Sequence, residues 1–173
     1  MRTTVPLVRA LDPSQAGPIE LEFDVPAQQD DDAPPLFIGV RVAGSDVGAV
    51  YDAAEELRRA DVSAEVHLFR IQASGLVAVE LTRSQRVGWG EVERVSIGAD
   101  GLVPELGAMD ADFSSMQAAG LLPVGVEHRE LAFAYTPSLP SGRYRVAVRL
   151  AQNREALLAA KAELLIAYIA KGK

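Results

Sequence analysis

Residues 139–150 constrain the fold of this chain more than any other stretch. Pro140, Ser141 and Gly142 form a turn signal, and a strict alternation of apolar with charged or small residues follows at once. A period of two with one apolar face is typical of a half-buried β-strand. The two faces carry Tyr144, Val146, Val148 and Leu150 against Arg143, Arg145, Ala147 and Arg149.

Tyr144 adds a second indication. A Tyr just inside a strand, two residues after a corner that contains Gly, resembles the tyrosine corner of β-sandwiches, in which the buried ring bonds to nearby backbone through its hydroxyl. The alternative is an ordinary strand that begins with Tyr. We take the β-sandwich as the working prediction.

Further strands and one helix follow from the same kind of pattern. Residues 19–25 alternate cleanly, and residues 36–42, 92–97 and 131–135 are also predicted strands. Ser45 and Asp46 begin a helix that runs to Arg59, with an apolar face of Val47, Val50, Tyr51, Ala54 and Leu57. Residues 62–71 and 76–82 predict a hairpin, with a bulge near Leu68 where the apolar phase switches.

Two regions are harder to assign. Residues 83–125 are the least regular, with helical turns expected between Asp110 and Ala119 and closed by Gly120. Residues 154–169 consist of good helix formers, yet a turn followed by a strand from 162 to 170 is the alternative that we favour. The predicted fold is therefore mainly β: a single Ig-like antiparallel β-sandwich over residues 1–173. It has an extended segment at 1–18, one amphipathic helix at about 46–59 and a long irregular insertion at about 99–125.

Composition excludes several classes of function. The net charge is −7 and the pI about 4.9, which argues against nucleic acid as a partner because phosphate contacts need a basic face. The chain has no Cys, which excludes disulfides and thiolate chemistry. No apolar run reaches transmembrane length. The first residues lack a signal-peptide core, so we expect a cytoplasmic protein or a mature form whose leader has been replaced.

No residue set predicts a reaction. His67 and His128 lack the spacing of a zinc site, and Glu20, Glu22 and Asp24 on one strand face are expected to be solvated. The Asp110 and Asp112 pair is better interpreted as a helix cap. Nucleophile elbows, phosphate loops and dinucleotide motifs do not occur. We therefore expect a protein that is not an enzyme, with no catalytic residue, metal or cofactor.

Three features are candidates for a partner-binding surface. Trp89, the only Trp, lies between two glycines in a loop; an interface hot spot and a ring tucked under the sheet are equally compatible with that context. Phe113 and Met116 lie in the long segment 99–125, and long structured loops on β-sandwiches often carry functional residues. The acidic run Asp30, Asp31 and Asp32 would attract a basic partner or merely solvate its loop.

The order of motifs resembles a known family. It comprises residues 11–17, the strand at 19–26, an amphipathic helix, residues 66–71, and near the end residues 139–146 and 153–157. This order is similar to a family of exported bacterial β-sandwich domains of unknown function, often lipoproteins. Some small lipoproteins of this kind are immunity proteins that guard the periplasm against toxins delivered by type VI secretion.

The resemblance implies a specific function. The sandwich would be a periplasmic immunity protein that binds and neutralises a cognate toxin, with Trp89, Phe113 and Met116 as anchors and Asp30, Asp31 and Asp32 as an electrostatic rim. A lipid anchor in the full-length precursor and a cytoplasmic location both stay open. The alternative is a carbohydrate- or envelope-binding module that stacks sugars on aromatic rings, for which 6% aromatic residues offer little material.

Overall fold

The computed structural model describes residues 2–28 and 34–172. Two antiparallel sheets of seven and five strands face each other, with few and short helices, which confirms the predicted β-sandwich. In the described ranges, no helix combines the length and the apolar character needed to cross a membrane.

Fifteen elements make up the described chain. The strands are β1 Leu7–Ala10, β2 Ile19–Val25, β3 Leu36–Gly44, β4 Ser63–Gln72, β5 Gly75–Ala78, β6 Thr82–Arg86, β7 Val92–Ser96, β8 Leu102–Val103, β9 Gly107–Met109, β10 Glu127–Thr136, β11 Gly142–Gln152 and β12 Glu163–Tyr168. The helices are α1 Val47–Arg59, α2 Phe113–Ala118 and α3 Arg154–Ala159.

The larger sheet has the strand order β1-β12-β3-β10-β6-β7, with β9 also paired to β10. The smaller sheet has the order β2-β11-β4-β5, with β8 also paired to β4. The main core lies between the sheets and is formed by the inward residues of both. A second, smaller core lies outside the larger sheet under α2 and contains Phe37, Met116, Ala132, Tyr135, Leu165 and Ala167.

Strand β11 has the predicted alternation. Tyr144, Val146 and Val148 are buried, whereas Arg143 and Arg149 are exposed. The hydroxyl of Tyr144 donates a hydrogen bond of 2.7 Å to the carbonyl of Pro140, which confirms the tyrosine corner. This strand lies between β2 and β4, at the centre of the smaller sheet.

Helix α1 is confirmed, but its predicted buried face is too wide. The Asp46 side chain caps the helix by accepting from the Ala49 backbone N–H at 2.8 Å. Only Val50, Ala54 and Leu57 are buried. Val47 and Tyr51 are exposed, so their predicted burial is wrong. The helix contacts β3 and β10 along a narrow stripe. Tyr51 lies about 90° around the helix from the centre of that stripe, and Val47, in the first turn, lies about 50° from it.

The expected bulge near Leu68 is also wrong. The register between β4 and β11 is continuous from Ala64 to Arg70, and its only shift falls between Leu150 and Gln152. The apolar phase switches because Phe69 faces the outer side of the sheet, where its ring stacks with that of His67. The hairpin of β4 and β5 is confirmed. However, β5 ends at Ala78 and the chain then crosses to the larger sheet as β6.

The C-terminal region follows the favoured alternative. One short helix, α3, precedes β12 in place of a continuous helix. Leu164 and Ile166 of β12 face the main core, while Leu165 and Ala167 face the second core. A strand buried on both sides has no polar face, so its sequence cannot be distinguished from a helix by periodicity.

Candidate partner-binding site

Strands β6 and β7 form a hairpin whose loop carries Trp89. The Val87 N–H donates to the Glu91 carbonyl at 3.2 Å and closes a three-residue loop, residues 88–90. Gly90 has φ +73°, the left-handed conformation that such a loop requires at its last position and that Gly adopts without strain. Trp89 is thereby placed at the apex with a relative exposure of 106%. The alternative of a ring tucked under the sheet is excluded.

The hairpin leaves the larger sheet because β9 takes its place. Strand β6 pairs with β10 at a single position, Thr82 opposite Tyr135. Gly107 of β9 already lies opposite Ala132, and the β10 register shifts between Ala132 and Ala134. Residues of β6 after Ser84 therefore have no place beside β10. Residues 85–87 separate Ser84 from the loop, and at about 3.3 Å each they place the loop roughly 10 Å beyond Ser84.

Tyr135 holds the base of the hairpin in place. Its hydroxyl lies 2.6 Å from the Ser84 Oγ, and the guanidinium of Arg94 lies 5.1 Å from the centre of its ring. Tyr135 itself is buried in the second core. Both strands are thus attached to one fixed ring at the base, whereas the loop is free. A projection that is ordered before binding loses less entropy when it meets a partner.

The free part of the hairpin carries three exposed apolar side chains. Val87 and Val92 are exposed on either side of Trp89, and we call residues 87–92 the hairpin tip. Single exposed apolar residues are ordinary on protein surfaces. Three in one short projection, one of them a Trp, form the kind of surface that marks interaction sites. Trp89 was a candidate from the sequence and the two valines were not, although Val87 directly precedes the glycine-bounded loop and Val92 follows it after Glu91.

The other predicted residues are not brought together with Trp89. Phe113 lies in the first turn of α2 and is 65% exposed. Met116, three residues further along the same helix, is 1% exposed and belongs to the second core. Its predicted role as a surface anchor is wrong, because α2 needs one apolar residue against the sheet. At full exposure Trp89 contacts neither of them. Asp30, Asp31 and Asp32 lie outside the described residues.

Helix α2 and the strands around it replace the predicted irregular insertion. Asp112 caps α2 by accepting from the Ser115 N–H at 2.8 Å, and Gly120 ends this segment with φ +71°. Strand β8 pairs with β4 and β9 pairs with β10. Residues 99–125 therefore complete both sheets, and β9 in particular displaces the hairpin.

The surface also has a cleft of about 670 Å³ between α1, the β9–β10 pair and residues 169–172. Three of its charged side chains are engaged with neighbours. Arg58 lies 2.9 Å from Glu55, and the Arg129 guanidinium lies 5.8 Å from the Tyr51 ring centre. Glu130 also lines the cleft, and burial, together with the nearby Asp110 carboxylate, raises its pKa.

His128 is partly buried, and Glu22 is held in ion pairs. His128 has a buried Nε2 without a partner, and burial followed by the charge of Arg41 lowers its pKa. Glu22 bridges Arg143 and Arg145 on the outer face of the smaller sheet, and the hydrogen bond from Arg145 is the main cause of its lowered pKa. The described part of the chain contains no group of three or more His, Asp or Glu side chains placed to hold a metal ion.

Comparison with models of known families, with curated proteins and with solved structures finds no match to this chain. The resemblance to exported β-sandwich domains therefore stays a prediction from sequence. The geometry of the hairpin is what the functional inference depends on.

Proposed function

We propose that this protein is a non-enzymatic binding protein that engages a protein partner through the hairpin tip. The observation that carries the proposal is Trp89, fully exposed at the apex of a projection whose base is fixed on Tyr135. Trp is the residue most enriched in interface hot spots, and such residues act by filling pockets on the partner.

The size of the Trp89 side chain indicates how much free energy its burial can contribute to binding. Burying roughly 150–250 Å² of an aromatic side chain at about 25 cal/mol per Å² is worth about 4–6 kcal/mol before ordering costs. Because the hairpin is already folded and anchored, little of this is lost to ordering. A net loss of about 2 kcal/mol or more on truncation of Trp89 is therefore expected.

A concave partner fits this surface best, and the family resemblance suggests which one. A rigid two-stranded projection with an apolar tip can enter a cleft and exclude substrate from it. We propose that the partner is a secreted bacterial toxin, that this protein is its periplasmic immunity protein, and that the tip blocks the toxin's active site. The net charge of −7 favours association with a basic partner.

The carbohydrate-binding alternative has less support. A sugar platform needs aromatic rings side by side on one face. In the described ranges, the strongly exposed aromatic residues are Tyr51, Trp89 and Phe113. They lie on α1, on the hairpin and on α2, which are three separate elements.

The test is the affinity for the toxin encoded beside this protein's gene. Trp89→Ala should weaken binding by about 30-fold or more, which corresponds to about 2 kcal/mol, and should weaken inhibition of the toxin equally. Val124→Ala is the matched control, because Val124 is an apolar loop residue with 103% exposure outside the hairpin. It should leave both measurements unchanged.

Two results would contradict the proposal. One is a toxin that neither binds nor loses activity when the unaltered protein is supplied in excess. The other is an unchanged affinity of Trp89→Ala with an unchanged melting temperature. The thermal measurement is needed because a folding defect would imitate a loss of contact, although the loop position of Trp89 makes such a defect unexpected.

A further inference from the structure

We infer that the outer edge of β7 accepts an extended segment of the partner as an additional antiparallel strand. This inference rests on the proposed function, since it says how the partner continues from the hairpin tip along the hairpin. The additional strand binds through backbone hydrogen bonds and charge pairs, whereas the hairpin tip binds through burial of apolar side chains.

The pairing pattern identifies the backbone groups that are free. Hydrogen bonds from Val87 N–H to the Glu91 carbonyl and from Ile97 N–H to the Leu81 carbonyl mark the bonded positions of the β6–β7 ladder. Bonded pairs recur at every second residue, so positions 91, 93, 95 and 97 face β6. The N–H and C=O groups of Val92, Arg94 and Ser96 therefore face away. Within the described chain no strand pairs with that side.

Other edges of the molecule are short or partly covered. Residues 3–5 pair with β2 at Asp24, with Val5 N–H bonded to the Asp24 carbonyl, and the edge strands β1 and β5 are four residues each. Soluble proteins blunt open edges with Pro, charged side chains, bulges or a covering segment. Strand β7 has no Pro and no bulge, and its charged residues Glu93 and Arg94 decide which strand can pair with it.

The charges of β7 specify the strand that fits. Glu93 and Arg94 are adjacent and lie between Val92 and Val95. Opposite charges across an antiparallel pair stabilise it and like charges destabilise it. The complementary segment, read from its own amino end, is therefore apolar, acidic, basic and apolar, facing positions 95, 94, 93 and 92 in turn.

A second copy of this chain fits the edge poorly. Two β7 strands related by a two-fold axis must pair antiparallel, with the residue on the axis opposite itself. The register that pairs all five residues places Arg94 against Arg94 of the copy. The register shifted toward the loop places Glu93 against itself. Both put like charges together. The register shifted away from the loop places Val95 against itself, but it pairs only residues 94–96 of β7 and gives Glu93 and Arg94 no opposite charge, which a strand of complementary sequence supplies.

The experiment is an NMR titration of the ¹⁵N-labelled protein with a blocked hexapeptide, acetyl-TVEKVT-amide. Its Val-Glu-Lys-Val centre matches positions 95 to 92. We expect shift changes concentrated at the amides of Val92, Arg94 and Ser96, and slower hydrogen exchange there. The charge-reversed peptide acetyl-TVKEVT-amide should bind at least about five-fold more weakly. The double variant Glu93→Arg with Arg94→Glu should reverse that preference.

Equal binding of both peptides, or no shift at β7 with millimolar peptide, would overturn the inference. Shifts of the β7 amides on dilution of the protein alone would also overturn it, because a second copy would then occupy the edge. The peptide titration does not use the toxin. A failed titration would overturn the strand pairing without affecting the Trp89 result. A failed Trp89 test would overturn the proposed function, and the titration would still show whether β7 accepts a strand.

Discussion

Replacing Tyr144 with Phe tests whether the tyrosine corner stabilises the sandwich. The change removes one oxygen from a fully buried ring and deletes its 2.7 Å hydrogen bond to the Pro140 carbonyl. Because Pro140 itself is exposed, its carbonyl regains water, and the cost stays near that of a typical net hydrogen bond. We expect a loss of about 1–1.5 kcal/mol in the free energy of unfolding. For a chain of this length that lowers the melting temperature by about 3–5 °C.

Thermal unfolding followed by calorimetry measures this loss. The control is Tyr51→Phe, which removes the same atom from an exposed ring on α1 and should leave the melting temperature within about 1 °C, since surface changes are worth little. If Tyr144→Phe unfolds at the same temperature as the unaltered protein, the hydroxyl does not stabilise the corner and this reasoning is refuted.

Three further predictions concern positions that the structure singles out. Gly39→Ala should destabilise the protein by about 3 kcal/mol or more, because a Cβ would lie 1.9 Å from the Leu131 carbonyl oxygen; Gly17→Ala, with open space around it, should be neutral in the same denaturant titration. Met116→Ala should cost about 2–4 kcal/mol by emptying the second core, which an unchanged urea midpoint would contradict. Burial raises the pKa of Glu130, so its ionisation destabilises the fold as pH rises. Glu130→Gln should therefore raise the melting temperature at pH 7, and the gain should vanish below about pH 4, where the carboxyl is protonated in both states.

Local rules were sufficient where one face of an element is buried. The alternation of β2 and β11, the Asp46 cap of α1 and the Gly120 that closes the α2 segment all depend on neighbours in sequence. Each was predicted from residue order and confirmed, because period and capping act within a few residues.

Elements buried on two sides could not be predicted in the same way. Strand β12 has apolar residues on both faces because one meets the main core and the other meets the second core. The same second core explains the wrong assignment of Met116, since α2 covers the outside of the larger sheet. Sequence patterns do not show which of two faces another element will cover.

The candidate site was found in part. Trp89 between two glycines was visible in the sequence, but its exposure was not. That exposure follows from β9, whose Gly107 takes the position beside Ala132 and leaves β6 without room next to β10. Such competition between strands about 20 residues apart in sequence is a tertiary effect that periodicity does not encode.

The most direct measurement of the central claim uses the single Trp of this chain. Protein labelled with 5-fluorotryptophan gives one ¹⁹F resonance, which reports on Trp89 alone. We predict that saturating toxin shifts this resonance and removes its sensitivity to exchange of H₂O for D₂O, because the ring becomes buried in the partner. A stoichiometric complex in which the resonance and its solvent sensitivity stay unchanged would contradict the account.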